Sequence, residues 1–519
     1  MEEIRKAAAP VDFCVVGGGA TGLGVAVDAA SRGHSVVLVE QSDFAKGTSS
    51  RSTKLVHGGV RYLRQGNLPL VFEALLERGR LAENAPHLVK DLAFIIPGYS
   101  RWQCLFYGLG MKLYDLLAGR RSLGRSRLLS GEETLARLPT LSGRGLAGGV
   151  LYHDGQFDDS RLALSLARTA VGAGARLVNY TRCAGLLKED GRVTGLMAED
   201  RESGRVFPIL AKCVVNAAGI FVDELRMKDD HAAKPVVTVS QGIHLVLPRE
   251  FLPGDDALMI PKTADGRVLF ALPWHDRVVL GTTDTPVPEK ILEPRALDEE
   301  IDFLMEHAGK YLVKAPEPED VLSVFAGLRP LVKAGDDTET AALSREHAII
   351  TSGSGLVTVT GGKWTTYRRM AEDVVDRGEL SAGLARKKCV TAEMRLRGWT
   401  REEAPESHLK AYGADAAGVR ALGGSGWVHP AIGLTVGEVR WHAREEMART
   451  VEDVLARRTR WLLLDARGSI KAAEAVARVL ASELGRDGEW VAKQVAEYES
   501  LARGYVFGNL PPVEHPPSS

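Results

Sequence analysis

The chain opens on VDFCVV, an apolar valine-rich run at 11–16, which breaks at Gly17 into the turn Gly17-Gly18-Gly19-Ala20-Thr21-Gly22. Small apolar residues at helical spacing follow, GLGVAVDAASRG, up to Gly33. A second apolar run, SVVLVE, ends at Glu40. The pattern predicts strand, glycine turn, helix and strand, a βαβ unit of about 30 residues. Residues 70–120 read as helical, through LVFEALLERGRLAENAP and LFYGLGMKLYDLLAG. Residues 175–215 read as short strands, and IHLVLP, RVLFALPW and RVVLGTTDT extend the strand pattern into a mixed or antiparallel sheet. A third valine-rich strand, GLVTVTGGK at 355–363, runs into a helix, TTYRRMAEDVVDRG.

From about residue 385 the period changes to helical, with Val439, Ala443, Met447, Val451, Val454 and Leu455 on one face. Thr435-x-x-Glu438 predicts a capping box at the start of that helix. Five of the eight tryptophans (Trp399, Trp427, Trp441, Trp461, Trp490) lie in this last quarter, which suggests a core of its own. The tail at 511–519, PVEHPPSS with the proline before it, reads as disordered.

Composition narrows the function classes. Glycine and proline, 55 and 23 of 519 residues, are together about 15%, below a low-complexity chain, and no three-residue period suggests collagen. With 66 basic and 67 acidic side chains, the balance gives no support to nucleic-acid binding. The five cysteines (Cys14, Cys104, Cys183, Cys213, Cys389) form no CxxC pair, so neither a disulfide framework nor a structural metal is indicated. That usage fits a reduced, cytoplasmic compartment. MEEIRKAAAP has no apolar core for a signal peptide, and no run of about 18 apolar residues suggests a membrane span.

Gly17-x-Gly19-x-x-Gly22, preceded by a strand and followed by a helix, matches the dinucleotide-binding fingerprint, with Glu40 closing the next strand. Gly17 permits the tight turn, Gly19 the approach of a pyrophosphate, and Gly22 close helix–strand packing. The helix N-terminus offers N–H groups to the anion, and Glu40 suits ribose hydroxyls and disfavours a 2′-phosphate. The fingerprint does not choose between NAD and FAD. The hydroxyl-rich stretch GTSSRSTKLVHGGVRY at 47–62 suits a second length of pyrophosphate and ribityl chain, which favours FAD. Strand ends at Ala217-Ala218-Gly219 and Gly361-Gly362 are further points where such a cofactor is approached, although each also reads as a tight turn.

The stretches VVGGGATGLGVAVDAASRGHSVVLVE, GTSSRSTKLVHGGVRYL, NAAGIFVD, GTTDT, FAGLRPL, GGKWTTYRRMAED and TVEDVLARRTRWLLLDARG resemble, in this order, the FAD-dependent, quinone-linked glycerol-3-phosphate dehydrogenases. The resemblance spans about 11–500. It implies an α/β FAD-binding Rossmann-like doubly wound sheet, an antiparallel-sheet substrate domain as in glutathione reductase and amino-acid oxidases, and an all-α C-terminal domain. The core then spans 1–380, with FAD-binding parts at about 11–70, 150–225 and 340–380 and substrate sheet at about 75–150 and 226–340. The helical domain spans 385–510. The implied cofactor contacts are Gly17, Gly19, Ala20, Thr21, Gly22, Glu40, Gln41, Thr48, Ser49, Ser50, Ser52, Leu55, His57, Gly58, Gly59, Cys183, Ala218, Gly219, Gly362 and Lys363. The implied reaction oxidises sn-glycerol 3-phosphate to dihydroxyacetone phosphate and passes electrons to ubiquinone or menaquinone.

That chemistry makes three demands. A phosphate dianion calls for arginine, and Arg61 and Arg329 stand in HGGVRY and GLRP, with Tyr62 and Thr283 as hydroxyl donors. A base must take the C2 hydroxyl proton, and His57 and His244 are the candidates. Developing negative charge calls for a fixed cation, and Lys363 follows Gly361-Gly362 at a strand-to-helix turn. Lys363 and Arg329 are assigned to both catalysis and substrate binding. A quinone acceptor requires a bilayer, and 101–127, aromatic and apolar and then rich in Arg120, Arg121, Arg125 and Arg127, reads as an interfacial helix. The expected place is the inner face of the cytoplasmic membrane, peripherally attached, with a homodimer as the expected assembly. The alternatives are an oxygen-using glycerophosphate oxidase, an amino-acid oxidase of the same superfamily, and a non-catalytic flavin-binding module.

Overall fold

The computed structural model describes residues 4–5, 9–60, 63, 66–261, 268–332, 347–423, 426–430 and 432–508. The expected tail at 511–519 lies outside them.

The predicted βαβ unit is formed by β1 (Val11–Val16), α1 (Ala20–Ser31) and β2 (Val36–Val39). β1 is central in an eight-stranded sheet, parallel to β2 on one side and to Val206–Asn216 on the other. Arg176–Val178 and Val357–Thr360 continue the parallel order outward, and Ala348–Thr351 closes one edge antiparallel. Both faces of this sheet are covered, which is why its strands are continuous apolar runs. Phe13, Val15, Val36 and Leu38 pack with residues of α1 and of the helices Asp159–Gly172 and Tyr367–Ser381. The alternate residues Cys14, Val16, Val37 and Val39 pack with Val193, Leu196 and Phe207 of an antiparallel extension to the sheet.

The second sheet has ten strands and is almost wholly antiparallel. Its long strand Val237–Pro248 pairs with Ser323–Val332 and Arg277–Gly281, and it sets His244 opposite Phe325 and Gly281, and Ser240 opposite Arg329. The period of two then sorts the strand. Ile243, Leu245 and Leu247 face a core shared with Ile301 and Leu304 of the helix Asp298–Tyr311. Val246 packs to the other side, and His244 has the same parity.

Several expectations change. Residues 85–100 are not helical: the helix Leu68–Asn84 ends just before Pro86, and Val89–Gly98 is a strand antiparallel to Gly148–Phe157. A proline that cannot continue a helix and an apolar run that no longer follows helical period account for the switch. The expected boundary near 150 runs through the strand Gly148–Phe157, and Leu55–Val56, within the expected FAD-binding part, pairs with it in the second sheet. The C-terminal part encloses a small core of its own, Leu409, Tyr412, Val419 and Trp441, but most of its apolar residues pack elsewhere. Leu434, Val439, Val454, Ala472 and Val476 join one cluster with Phe325, Leu272 and Val279 of the second sheet. Trp427 is exposed on a two-stranded hairpin, Trp427–His429 with Ile432–Thr435, within the otherwise helical part. The helix Val436–Glu445 starts on the predicted capping box, with Thr435 Oγ1 accepting from Glu438 N and Glu438 Oε2 accepting from Thr435 N.

Candidate active site

The glycine turn is built by contact. Gly17 has φ +109°, and a Cβ there would lie 2.5 Å from the carbonyl oxygen of Ala217. A Cβ on Gly22 would lie 1.9 Å from the carbonyl oxygen of Gly17, so only glycine lets the first turn of α1 sit on the strand end. Ala20 N donates to Ser49 Oγ at 2.9 Å. Glu40, at the end of β2, accepts from Gly18 N at 2.6 Å and Ser42 N at 2.8 Å, while burial pushes its carboxyl above the usual range. The carboxylate therefore shapes the turn and keeps further lone pairs for a ribose.

This turn opens on a cavity of about 930 Å³ walled by both sheets. Gly17, Gly19, Ala20, Thr21, Glu40, Gln41, Thr48, Ser49, Ser52, Leu55, His57, Gly59, Cys183, Ala218, Gly219, Gly361, Gly362 and Lys363 line it, together with His244, Thr283 and Arg329. A backbone cradle that any Cβ would fill, a helix N-terminus and a ribose-type carboxylate at one long cavity fit an FAD molecule. Three expected contacts lie elsewhere. Gly22 packs α1 on the strand end. Gly58 N donates to the Tyr114 hydroxyl, and a Cβ there would meet Leu75 and Tyr114, so this glycine faces the interior. Ser50 is buried off the cavity, and its carbonyl accepts from Lys54 Nζ and Arg460. Arg61 and Tyr62 lie outside the described residues.

His244 is buried and meets Thr53 Oγ1 through Nε2 at 3.0 Å. Burial, then Lys54 and Arg329, hold its pKa well below the ordinary imidazole range, so it is neutral at rest. His57 is half-buried on the wall, its backbone N–H donating to Thr365 Oγ1 at 3.1 Å. Arg329 is fixed by four acceptors: Gln241 O and Asp284 Oδ1 at 3.2 Å, Thr282 Oγ1 at 3.0 Å and Thr283 O at 2.9 Å. Lys363 is the N-cap of the turn Trp364–Thr366 that leads into the helix Tyr367–Ser381. The hydroxyl of Thr283 is committed to the sheet, donating to Glu300 and accepting from Ile243 N, so it is not available to a substrate in the way expected.

The sequence reading missed Thr53 and Lys54. Lys54 is fully buried, donates to Asp159 at 2.7 Å and to Ser50 O at 2.8 Å, and lies 5.1 Å from the centre of the Phe325 ring. Burial pushes its ammonium down to about 8, with Asp159 opposing. Its only sequence signal is its place in KLVHGG, since nothing local separates it from the other basic residues.

A family model described as FAD dependent oxidoreductase matches residues 12–368, and one described as C-terminal domain of alpha-glycerophosphate oxidase matches 355–491. A mitochondrial glycerol-3-phosphate dehydrogenase of Arabidopsis thaliana is 40% identical over 523 residues, covering 91% of this chain and 83% of that one. The mitochondrial glycerol-3-phosphate dehydrogenase of Homo sapiens is 38% identical, covering 96% and 73%. The crystal structure of a Bacillus halodurans glycerol-3-phosphate dehydrogenase complexed with FAD superposes with a TM-score of 0.79 at 30% identity, covering 98% of this chain and 97% of that one.

Proposed function

Because the chain belongs to the family of FAD-dependent glycerol-3-phosphate dehydrogenases, we propose that it oxidises sn-glycerol 3-phosphate to dihydroxyacetone phosphate and delivers the electrons to a membrane quinone. The carrying observation is the convergence of a neutral buried imidazole, His244, with Arg329 and Lys363 on the cavity that the glycine turn enters. FAD, when bound, supplies the two-electron acceptor for the hydride from C2. The protein supplies the rest. Arg329, held rigid by Asp284 and Thr282, places a fixed positive charge on the cavity wall as the counter-charge of the phosphate dianion. His244 takes the proton of the C2 hydroxyl, its ring oriented by Thr53. Lys363 stabilises the negative charge that develops beside it.

The membrane side of this reading rests on the helix Arg101–Ala118. It exposes Trp102 (80%), Phe106 (65%), Leu109 (72%) and Leu116 (75%), and the neighbouring helix Leu68–Asn84 adds Phe72 (55%). Arg120 and Arg125 are exposed beside them. Such a face suits an amphipathic helix lying in an anionic interface. Among the described residues no helix is long and apolar enough to cross a membrane. We place the protein on the inner face of the cytoplasmic membrane.

The test is anaerobic. The purified yellow protein is mixed with sn-glycerol 3-phosphate, with glycerol as control. Bleaching of the flavin band by the phosphate ester alone supports the substrate, and no bleaching overturns it. Reoxidation by a short-chain quinone faster than by air, without peroxide, supports the acceptor, and the reverse assigns an oxidase.

A further inference from the structure

The loop from Gln41 to Lys54 supplies much of the cavity wall, including Lys46, Ser49, Ser52 and Thr53. Its outer side is held from far along the chain. Asp43, fully buried, accepts from the guanidinium groups of both Arg457 and Arg458. Lys46 pairs with Glu452 at 2.6 Å. The carbonyl of Ser50 accepts from Arg460 at 2.6 Å, and Arg460 also bonds Asp159 at 2.9 Å. The other oxygen of Asp159 holds the Ser52 hydroxyl and the Lys54 ammonium, both at 2.7 Å. All these partners except Asp159 come from one stretch, Glu452–Arg460, that contains the π-helix Asp453–Arg458. Arg460 has φ +68°, a left-handed conformation that a non-glycine residue keeps only where its surroundings over-determine it.

Burying this many charges is a poor way to gain stability, because desolvation offsets the attraction and an apolar cluster of equal volume does as well. The C-terminal helices already share an apolar core with the second sheet. What ionic bonds to fixed points add is geometry. We propose that the stretch Glu452–Arg460 is a clamp that sets the shape of the 41–54 loop and thereby the retention of FAD, with Glu452, Arg457, Arg458 and Arg460 as positioning residues outside the FAD-binding fold. This rests on the FAD site alone and holds whatever the substrate.

The test measures FAD release from the holoenzyme, followed by the rise in flavin fluorescence on dilution at a temperature well below unfolding, without substrate. Glu452→Gln and Arg460→Met are compared with Glu483→Gln, whose partners Arg440 and Arg444 lie within the C-terminal part. The expected result is FAD release at least about 10-fold faster in the first two and unchanged in the third. Unchanged release in folded Glu452→Gln and Arg460→Met, with only the unfolding temperature lowered, would show ordinary inter-domain bonding and overturn the clamp. If Arg460→Met does not fold, Glu452→Gln decides, since its pair is partly exposed and is the easiest to remove.

Discussion

The imidazole of His244 lies flat on the ring of Phe325, centroids 4.8 Å apart and planes 15° from parallel, while the ammonium of Lys54 stands 5.1 Å from the centre of the same phenyl ring. The two residues are direct partners in register across adjacent strands. A cation below and the Arg329 guanidinium nearby, in a buried site, make the protonated form of His244 unfavourable.

Folding therefore depends on pH through this residue. The unfolded imidazole titrates near about 6.5 and the folded one well below it, so the unfolded chain binds the extra proton first. The contribution is complete above pH about 6.5 and is lost progressively as pH falls from there toward the folded pKa. Urea midpoints measured from pH 7 to 5 are expected to fall less in His244→Gln than in the wild type. Equal slopes would contradict a buried neutral imidazole.

The same substitution separates the two candidate bases. His244→Gln is expected to lower kcat/KM for glycerol 3-phosphate by about 10²–10⁴-fold, the span of a lost general base. His57→Gln is expected to have a smaller effect, because His57 is only half-buried on the wall whereas His244 is fully enclosed. Steady-state rates on both variants check this, and the opposite ranking moves the base to His57.

Arg329→Met and Lys363→Met are each expected to keep FAD bound and to cut turnover at least about 100-fold, the scale of one lost charge-stabilising donor. Arg329→Met should also raise KM, since a phosphate ligand acts on binding as well as on the barrier. The flavin absorbance ratio and saturation kinetics test both. A near wild-type rate in either variant removes that residue from the site.

Gly22→Ala places a methyl group against the Gly17 carbonyl with no flexible side chain to yield. Overpacking of this kind costs about 1–3 kcal/mol. The expected outcome is a lower melting temperature and reduced FAD content, read by thermal denaturation and absorbance.

Phe106→Asp combined with Leu109→Asp, on the exposed face of Arg101–Ala118, should abolish flotation with anionic liposomes and leave flavin reduction by substrate intact. Arg120→Glu with Arg125→Glu should weaken flotation in a salt-dependent way. Arg127 is a poorer probe, because it is paired with Glu133 at 3.2 Å. Flotation that survives the two aspartates places the contact elsewhere.

Local chemistry made much of this legible in the sequence. The β1–α1–β2 unit follows from spacing and glycine, and the Thr435–Glu438 cap from two residues three apart. The resemblance carried the rest of the cavity wall. What stayed hidden is long-range. The register that sets His244 on Phe325 joins strands 81 residues apart, and the burial that depresses Lys54 exists only once Asp159, Trp274 and Phe325 surround it. Ser50 and Gly58 lie off the cavity wall because a loop alternates sides, and a sequence of small residues does not say which side faces the cavity.

The order of strands in the first sheet has a consequence in time. β1 pairs with Val206–Asn216, which pairs with Val357–Thr360. At about 5–20 residues per second, the ribosome makes the last parallel strand roughly 20–70 s after the first. Val206–Asn216 is made about 140 residues before that strand, so for roughly 7–30 s its edge toward Val357–Thr360 has no neighbour, and the cavity wall that Gly361 and Gly362 complete does not exist. A gene cut anywhere before residue 360 therefore encodes an unfinished sheet rather than a smaller flavoprotein.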